Sequence, residues 1–400
     1  MRILVSCQQS AQRHPVPAYK FWRPYFVHGL EEAGHEALEV PGVDWAEGLV
    51  RPPGAALDLW RSRTWESVRA FARAELRQRP IDLFLSYLYP KQIEVGAIGD
   101  LQRMGIPCVN FFCDNVREFC NVPREYRPFA LHWVPEFEAL PMYRAAGLAH
   151  IHAPMPCWIP KNLRSVPATE TEPATFIGSA DILRRDLLSR ASQAGARFKV
   201  RGPGWAPSSS NGREPARSWS LSGIIANQFV TLRSQGVMAL LRKMESRIRP
   251  LYPAPLPLDI IAAAPAGDTE YSRIIREATV CLGINRVPTA RHSNHAPLRY
   301  SRLRDIQGPM LGACYLTEWT EGLSYLFEVG SEIEAYRTPE ELADKLDELT
   351  LDVERRRAMR ARAQQRALNE HSVPCSIARI IHQLGECEKV TCAASRIGRL

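Results

Sequence analysis

The chain has no run of about 20 consecutive apolar residues, so no membrane-spanning helix is expected from it. Its opening apolar stretch, 2–6, is too short for a signal-peptide core and has no small-residue cleavage site behind it. It reads as a first strand, and the chain as cytoplasmic. Ten cysteines are scattered without one Cys-x-x-Cys pair, which argues against a zinc site and against a disulfide framework. No Asp-x-Asp step follows an expected strand, so no cofactor and no obligatory metal ion are expected. No nucleic-acid-binding motif accompanies the formal net charge of +8. The charge suits an anionic partner without naming one, and nucleic acid is not expected to be that partner.

What is present is a globular composition, 45% apolar and 24% charged over 400 residues. A chain of that length exceeds one ordinary core, since domains usually hold roughly 100–200 residues. Strand and helix patterns alternate. Strands are expected at 2–6, 36–40, 81–86 and 107–112, with helices at 21–34, 64–78 and 93–104 between them. Prolines 154, 156, 160 and 167 have the composition of a linker. A second alternation follows: strands at 174–177, 197–200, 280–284 and 315–317, and helices at 182–194 and 271–278. Thr338-Pro339-Glu340-Glu341 is a capping box opening a helix with Leu342, Leu346 and Leu349 on its buried stripe. A basic helix is expected at 353–370. The pattern implies an α/β protein with two parallel sheets. The expected domains are 1–160 and 161–385, the second with a basic insertion at about 205–257, and a flexible tail at 386–400. Ligands of such sheets sit beyond the carboxyl ends of the strands. In the first domain that selects the loops 7–17, 86–92 and 113–118.

One stretch carries a family resemblance. Arg304-Asp305-Ile306-Gln307-Gly308-Pro309-Met310-Leu311-Gly312-Ala313-Cys314-Tyr315-Leu316-Thr317-Glu318 is followed by Phe327-Glu328-Val329-Gly330-Ser331-Glu332-Ile333, the capping box, and His371-Ser372. Together they resemble the donor-binding end of the spore-maturation-protein (CgeB-like) glycosyltransferases, which belong with the group-1 enzymes of the GT-B fold. The resemblance implies two Rossmann-like domains facing each other across a cleft. It implies transfer of a sugar from a nucleotide-sugar donor to a glycan, a lipid-linked intermediate or a small metabolite. The family's aromatic falls on Ile306. Its Glu, which in the wider group holds the donor ribose, falls on Gln307, so a charge-assisted bond is lost.

Several residues have the chemistry for such a site. Gly178-Ser179, between a strand and a helix, suits a phosphate, with Arg184 one turn further on. Arg201 and Gly202 open the next strand-end turn, and Trp205 there either stacks on a ligand or packs. Asn285 and Arg286 end another strand, ahead of a loop dense in donors that includes Arg291, His292, His295 and Arg299. Arg304 has the planar fork that suits a diphosphate; the competing reading is an ion pair with Asp305 or Glu318. Gln307 and Gly308 complete the donor set. For the base that activates an acceptor hydroxyl, Asp114 and His14 compete. His292-x-x-His295 is not expected to hold metal.

The segment 224–249 interleaves apolar residues with Arg233, Arg242, Lys243, Arg247 and Arg249. Such a helix either lies on an anionic membrane or packs as an insertion with a solvated basic face. A catalytically silent homologue that binds a nucleotide sugar is the alternative function, supported by Gln307.

Overall fold

The computed structural model describes residues 1–15, 19–206, 251–289 and 291–397. The expected basic amphipathic segment at 224–249 therefore lies outside the described residues. The chain forms two compact units, Met1–Ile159 joined by the chain from Leu368 on, and Pro160–Ala367.

In the first unit six parallel strands form one sheet: β1 (Arg2–Ser6), β2 (Glu36–Leu38), β3 (Leu83–Tyr87), β4 (Cys108–Phe111), β5 (Leu131–Val134) and β6 (His150–His152), in the order β2-β1-β3-β4-β5-β6. Every residue of β1, β3, β4 and β5 is buried, as parallel strands covered on both faces must be. The helix Tyr19–Glu32 lays Trp22, Phe26 and Leu30 on this core. Pro24 lies inside that helix, not at its first turn as its chemistry suggests.

The second sheet repeats the plan. It holds β7 (Thr175–Ile177), β8 (Lys199–Arg201), β9 (Ile261–Ala262), β10 (Cys281–Gly283), β13 (Tyr315–Glu318) and β14 (Glu334–Tyr336), in the order β14-β13-β10-β7-β8-β9. All its pairings are parallel. A two-stranded antiparallel ribbon, β11 (Arg286–Val287) with β12 (Leu298–Arg299), stands apart from the sheet. The expected cap is present: Thr338 Oγ1 accepts from Glu341 N at 3.1 Å. Glu341 reaches back to Arg337 N, one residue short of the reciprocal bond.

The C-terminal stretch departs from the domain limits read in the sequence. The chain rejoins the first unit at Leu368 instead of staying in the second to 385. The last helix, Val373–Ile397, continues through most of the segment expected as a tail. The cause is a tight contact within the first unit. Gly29 leaves space for Val373, and a Cβ on Gly29 would lie 2.4 Å from Val373 Cβ. Val373, Ile377 and Ile380 are fully buried. The last helix expected from the sequence ends at 370, short of this buried stripe.

In each sheet the chain starts in the interior, builds to one side and then crosses to the other. The crossing falls between β1 and β3 in one unit and between β7 and β10 in the other. At such switch points the loops diverge and leave a crevice beyond the strand ends.

Candidate functional site

At the switch point of the second unit, the loops leaving β7 and β8 are pressed together. Gly178 N donates to Arg201 O at 2.8 Å. Gly202 has φ +133°, and a Cβ there would lie 2.4 Å from Gly178 O. Glycine is demanded by conformation and by space. Trp205 Nε1 donates to Gly178 O at 2.6 Å, and the indole is buried edge-on against Phe176. Trp205 is thus a wedge under the loop, which settles the choice between stacking and packing in favour of packing.

Two guanidinium groups converge on this strand end. Arg184 donates to Ser179 O at 2.9 Å and to Ser179 Oγ at 3.2 Å, and sits 5.7 Å from the Phe176 ring centroid. Arg304, from the helix Leu303–Met310, lies 5.7 Å from the same ring. Its Nη1 donates to Ile177 O, and its Nε is buried without a partner. The ion pair that competes with a ligand role is not made. Asp305 is fully buried and accepts from Ser301 Oγ, Arg302 N, Tyr315 OH and Thr317 Oγ1 at 2.9–3.0 Å. Burial holds its carboxyl above the usual range, against those hydrogen bonds. Glu318 is equally enclosed, by Arg286 at 2.7 Å and Arg299 at 2.6 Å.

The helix N-terminus beside Gly178-Ser179 does not offer its amides as expected. Asp181 caps it, accepting from Leu183 N at 3.0 Å and Arg184 N at 2.9 Å. The cationic groups at this strand end are the guanidinium groups of Arg184 and Arg304. Other residues of the predicted donor set are built into the unit. Arg201 pairs with Glu172 at 2.8 Å and donates to Ala263 O. Asn285 donates to Glu318 O at 2.8 Å, and Arg286 forks onto the Glu318 carboxylate. Gly308 lets its helix approach the Tyr315 ring, 3.0 Å from where a Cβ would stand. Gln307 accepts from Tyr271 OH at 2.8 Å, and the Tyr271 ring also faces Arg304 at 5.9 Å. Tyr271 has no signal in the sequence beyond its place in a helix. His292 Nδ1 lies 3.2 Å from Thr289 Oγ1. Among the described residues no cluster of three His, Cys, Asp or Glu side chains is placed to hold a metal.

The first unit presents a different chemistry. Beyond β1, Gln8 turns left-handed with φ 61°. Its amide pairs reciprocally with that of Gln92, both bonds 3.0 Å, across the switch point. Beyond that turn, His14 Nε2 lies 2.9 Å from Asp44 Oδ2 and 3.1 Å from Ser10 Oγ. An ionised carboxylate only accepts, so Nε2 carries the proton and the basic nitrogen of neutral His14 is Nδ1. The trio is no serine-nucleophile triad: Ser10 Oγ gives its hydrogen to Asp44 at 2.7 Å, and both neighbours meet the same ring nitrogen. Asp44, which fixes the imidazole, is thirty positions away and invisible to motif reading.

Asp114 follows β4 with φ 75°. Gln8 and Asp114 are the two positive-φ residues other than glycine among the described residues, and both leave carboxyl ends of one sheet. Such conformations cost about 1–3 kcal/mol and gather at functional sites. Among the described residues no helix is long and apolar enough to cross a membrane.

Comparison with known proteins bears on the fold and on one part of the chain. Residues 252–381 match the model of a family described as glycosyl transferase-like, a stretch that includes Arg304 and Gln307. No curated protein matches the sequence. Among solved structures, the chain is similar to sucrose-phosphate synthase from Thermosynechococcus elongatus, with 12% identity, TM-score 0.54, and 96% of this chain and 99% of that one covered. It is similar to a glycosyltransferase from Rickettsia africae at 11% identity and TM-score 0.54, covering 97% and 98%. Anabaena Alr3699/HepE, solved with UDP and glucose, has 12% identity and TM-score 0.54, covering 96% and 100%. Two six-stranded parallel sheets of this topology, matched over nearly the whole chain, are the GT-B fold, and residues 252–381 carry the likeness to glycosyl transferase-like domains.

Proposed function

We propose that the protein is a glycosyltransferase that takes a sugar from a nucleoside-diphosphate donor, of the CgeB-like kind its sequence resembles. The observation that carries this reading is the convergence of Arg304 and Arg184 on the carboxyl end of β7, beside Gly178-Ser179. Arg304 has a buried, unpartnered Nε and no carboxylate to neutralise it. A diphosphate satisfies both, and its departing charge is what such donors stabilise during transfer. His14, held by Asp44, is the base that takes the proton of the acceptor hydroxyl. The hydroxyl oxygen then bonds the anomeric carbon as the nucleoside diphosphate leaves with the bonding pair. Asp114, at the carboxyl end of β4 in the same sheet, is the carboxylate that accepts hydrogen bonds from substrate hydroxyls. No metal is needed for donor binding in this scheme.

The reading is tested by titrating UDP, GDP, ADP and their glucose conjugates into the purified chain by calorimetry. One nucleotide binds, and Arg304→Ala weakens it about tenfold to a hundredfold, the loss of a charged hydrogen-bonding group worth roughly 1.5–3 kcal/mol. If none binds, the reading fails. Binding without turnover on any acceptor selects the silent homologue.

A further inference from the structure

Glu136 was not singled out by the sequence. It follows β5, next to β4 in the sheet, and is fully buried. A buried carboxylate normally has a cation. The charged groups that act on this one are Asp114 and Glu138, both acidic, with the Tyr143 hydroxyl also nearby. Its hydrogen bonds come from the turn above it: Oε2 accepts from Val116 N at 3.1 Å, and the backbone of Asp114 also donates to the carboxyl. Oε1 is buried without a partner. The same turn is fastened on its other side. Tyr143 OH donates to Asn115 Oδ1 at 2.9 Å, and Asn115 Nδ2 to Phe112 O at 2.7 Å. Every fastening falls on residues 112–116, around the left-handed Asp114.

Two ionised carboxylates at one strand end repel, and the charge on the fully buried one is costly. Supplying a proton to the deeper group removes both penalties. We propose that Glu136 is a positioning residue that is protonated in the working protein: as a neutral acid it props the 112–116 turn and leaves Asp114 to accept hydrogen bonds from substrate hydroxyls. Burial, with Asp114 next in weight, raises Glu136 to about 8, consistent with that geometry. The consequence for substrate rests on the site proposed above; the protonation of Glu136 does not.

The sign of the pH effect follows. A carboxyl near 4.5 in the unfolded chain and about 8 in the folded one gives its full stability contribution below the first value and loses it as pH rises to the second. Infrared spectra of the full chain at pH 6–9, with thermal unfolding over pH 5–9, test it. The wild type shows a protonated-carboxyl carbonyl band that fades between pH 7 and 9. Glu136→Gln lacks the band, and its melting temperature gains several degrees on the wild type from pH 5 to 8. Asp114→Asn retains the band. Absence of the band in the wild type at pH 6, or its survival in Glu136→Gln, overturns the proposal. In a transfer assay with the nucleotide sugar found by calorimetry, Glu136→Ala loses activity about a hundredfold in kcat with donor KM unchanged. Glu136→Gln recovers most of it and loses the alkaline limb of the pH profile. Equal loss in both variants overturns the positioning role. Full activity in Asp114→Asn with the band intact sinks the role of Asp114 and leaves the protonation standing.

Discussion

The two units share one strand plan and fasten their strand ends by opposite means. In the second unit the loops rely on glycine and on complementary charge: Gly202 against Gly178, Arg286 and Arg299 around Glu318, Arg201 on Glu172. In the first unit the corresponding work falls to neutral groups, the Gln8–Gln92 amide pair and Asn115 with Tyr143. The difference suits the ligand each half would meet. Arg304, which makes no ion pair with Asp305 or Glu318, is the cation placed to attract an anion, with Arg184 beside it on Asp181. Amides and hydroxyls hold the turns after β1 and β4 without an ion pair, and the carboxylate that meets His14 is Asp44.

The largest effect is expected from His14→Ala. It should lower kcat about 10²–10⁴-fold, the usual reach of general-base catalysis, while nucleoside diphosphate binding stays unchanged by calorimetry. Weakened nucleotide binding in that variant would mean the two units do not divide the chemistry this way. Glu318→Gln tests the charged half. It leaves the buried Arg286 without an anion, with the exposed Arg299 beside it, and should cost about 3–5 kcal/mol in denaturant unfolding. A loss below about 1 kcal/mol, the size of an exposed pair, would show that the cluster is solvated. The smallest effect is expected from Gln307→Glu. The Tyr271 bond persists and a charged acceptor is restored, so donor affinity should rise roughly fivefold, about 1 kcal/mol. Unchanged affinity would place Gln307 away from the donor.

Most of the strands were legible because parallel strands buried on both faces are continuous apolar runs; β1 falls on the expected residues and β3 and β4 within one or two of them. Those that escaped have a different texture. β5 and β6 carry His132, His150 and His152, β9, β11 and β12 are two residues long, and β14 is three residues with Glu334 at its start. The individual arginines were visible as chemistry, yet their duties were not. Arg286 and Arg304 look alike in the sequence, and what separates them is whether a buried carboxylate lies within reach. Asp44 and Glu136 could not be found by spacing at all, since each becomes significant only where the sheet brings its loop beside another.

The return of the chain to the first unit at Leu368 has a consequence for how the protein is made. Synthesis runs from the N-terminus, and domains generally fold as their chain becomes complete. The second unit has all its residues once Ala367 has left the ribosome, whereas the first still waits for Val373, Ile377 and Ile380 to cover the face around Gly29. The half that is translated first is therefore the half that finishes last, and it waits with apolar surface uncovered while its neighbour is already whole.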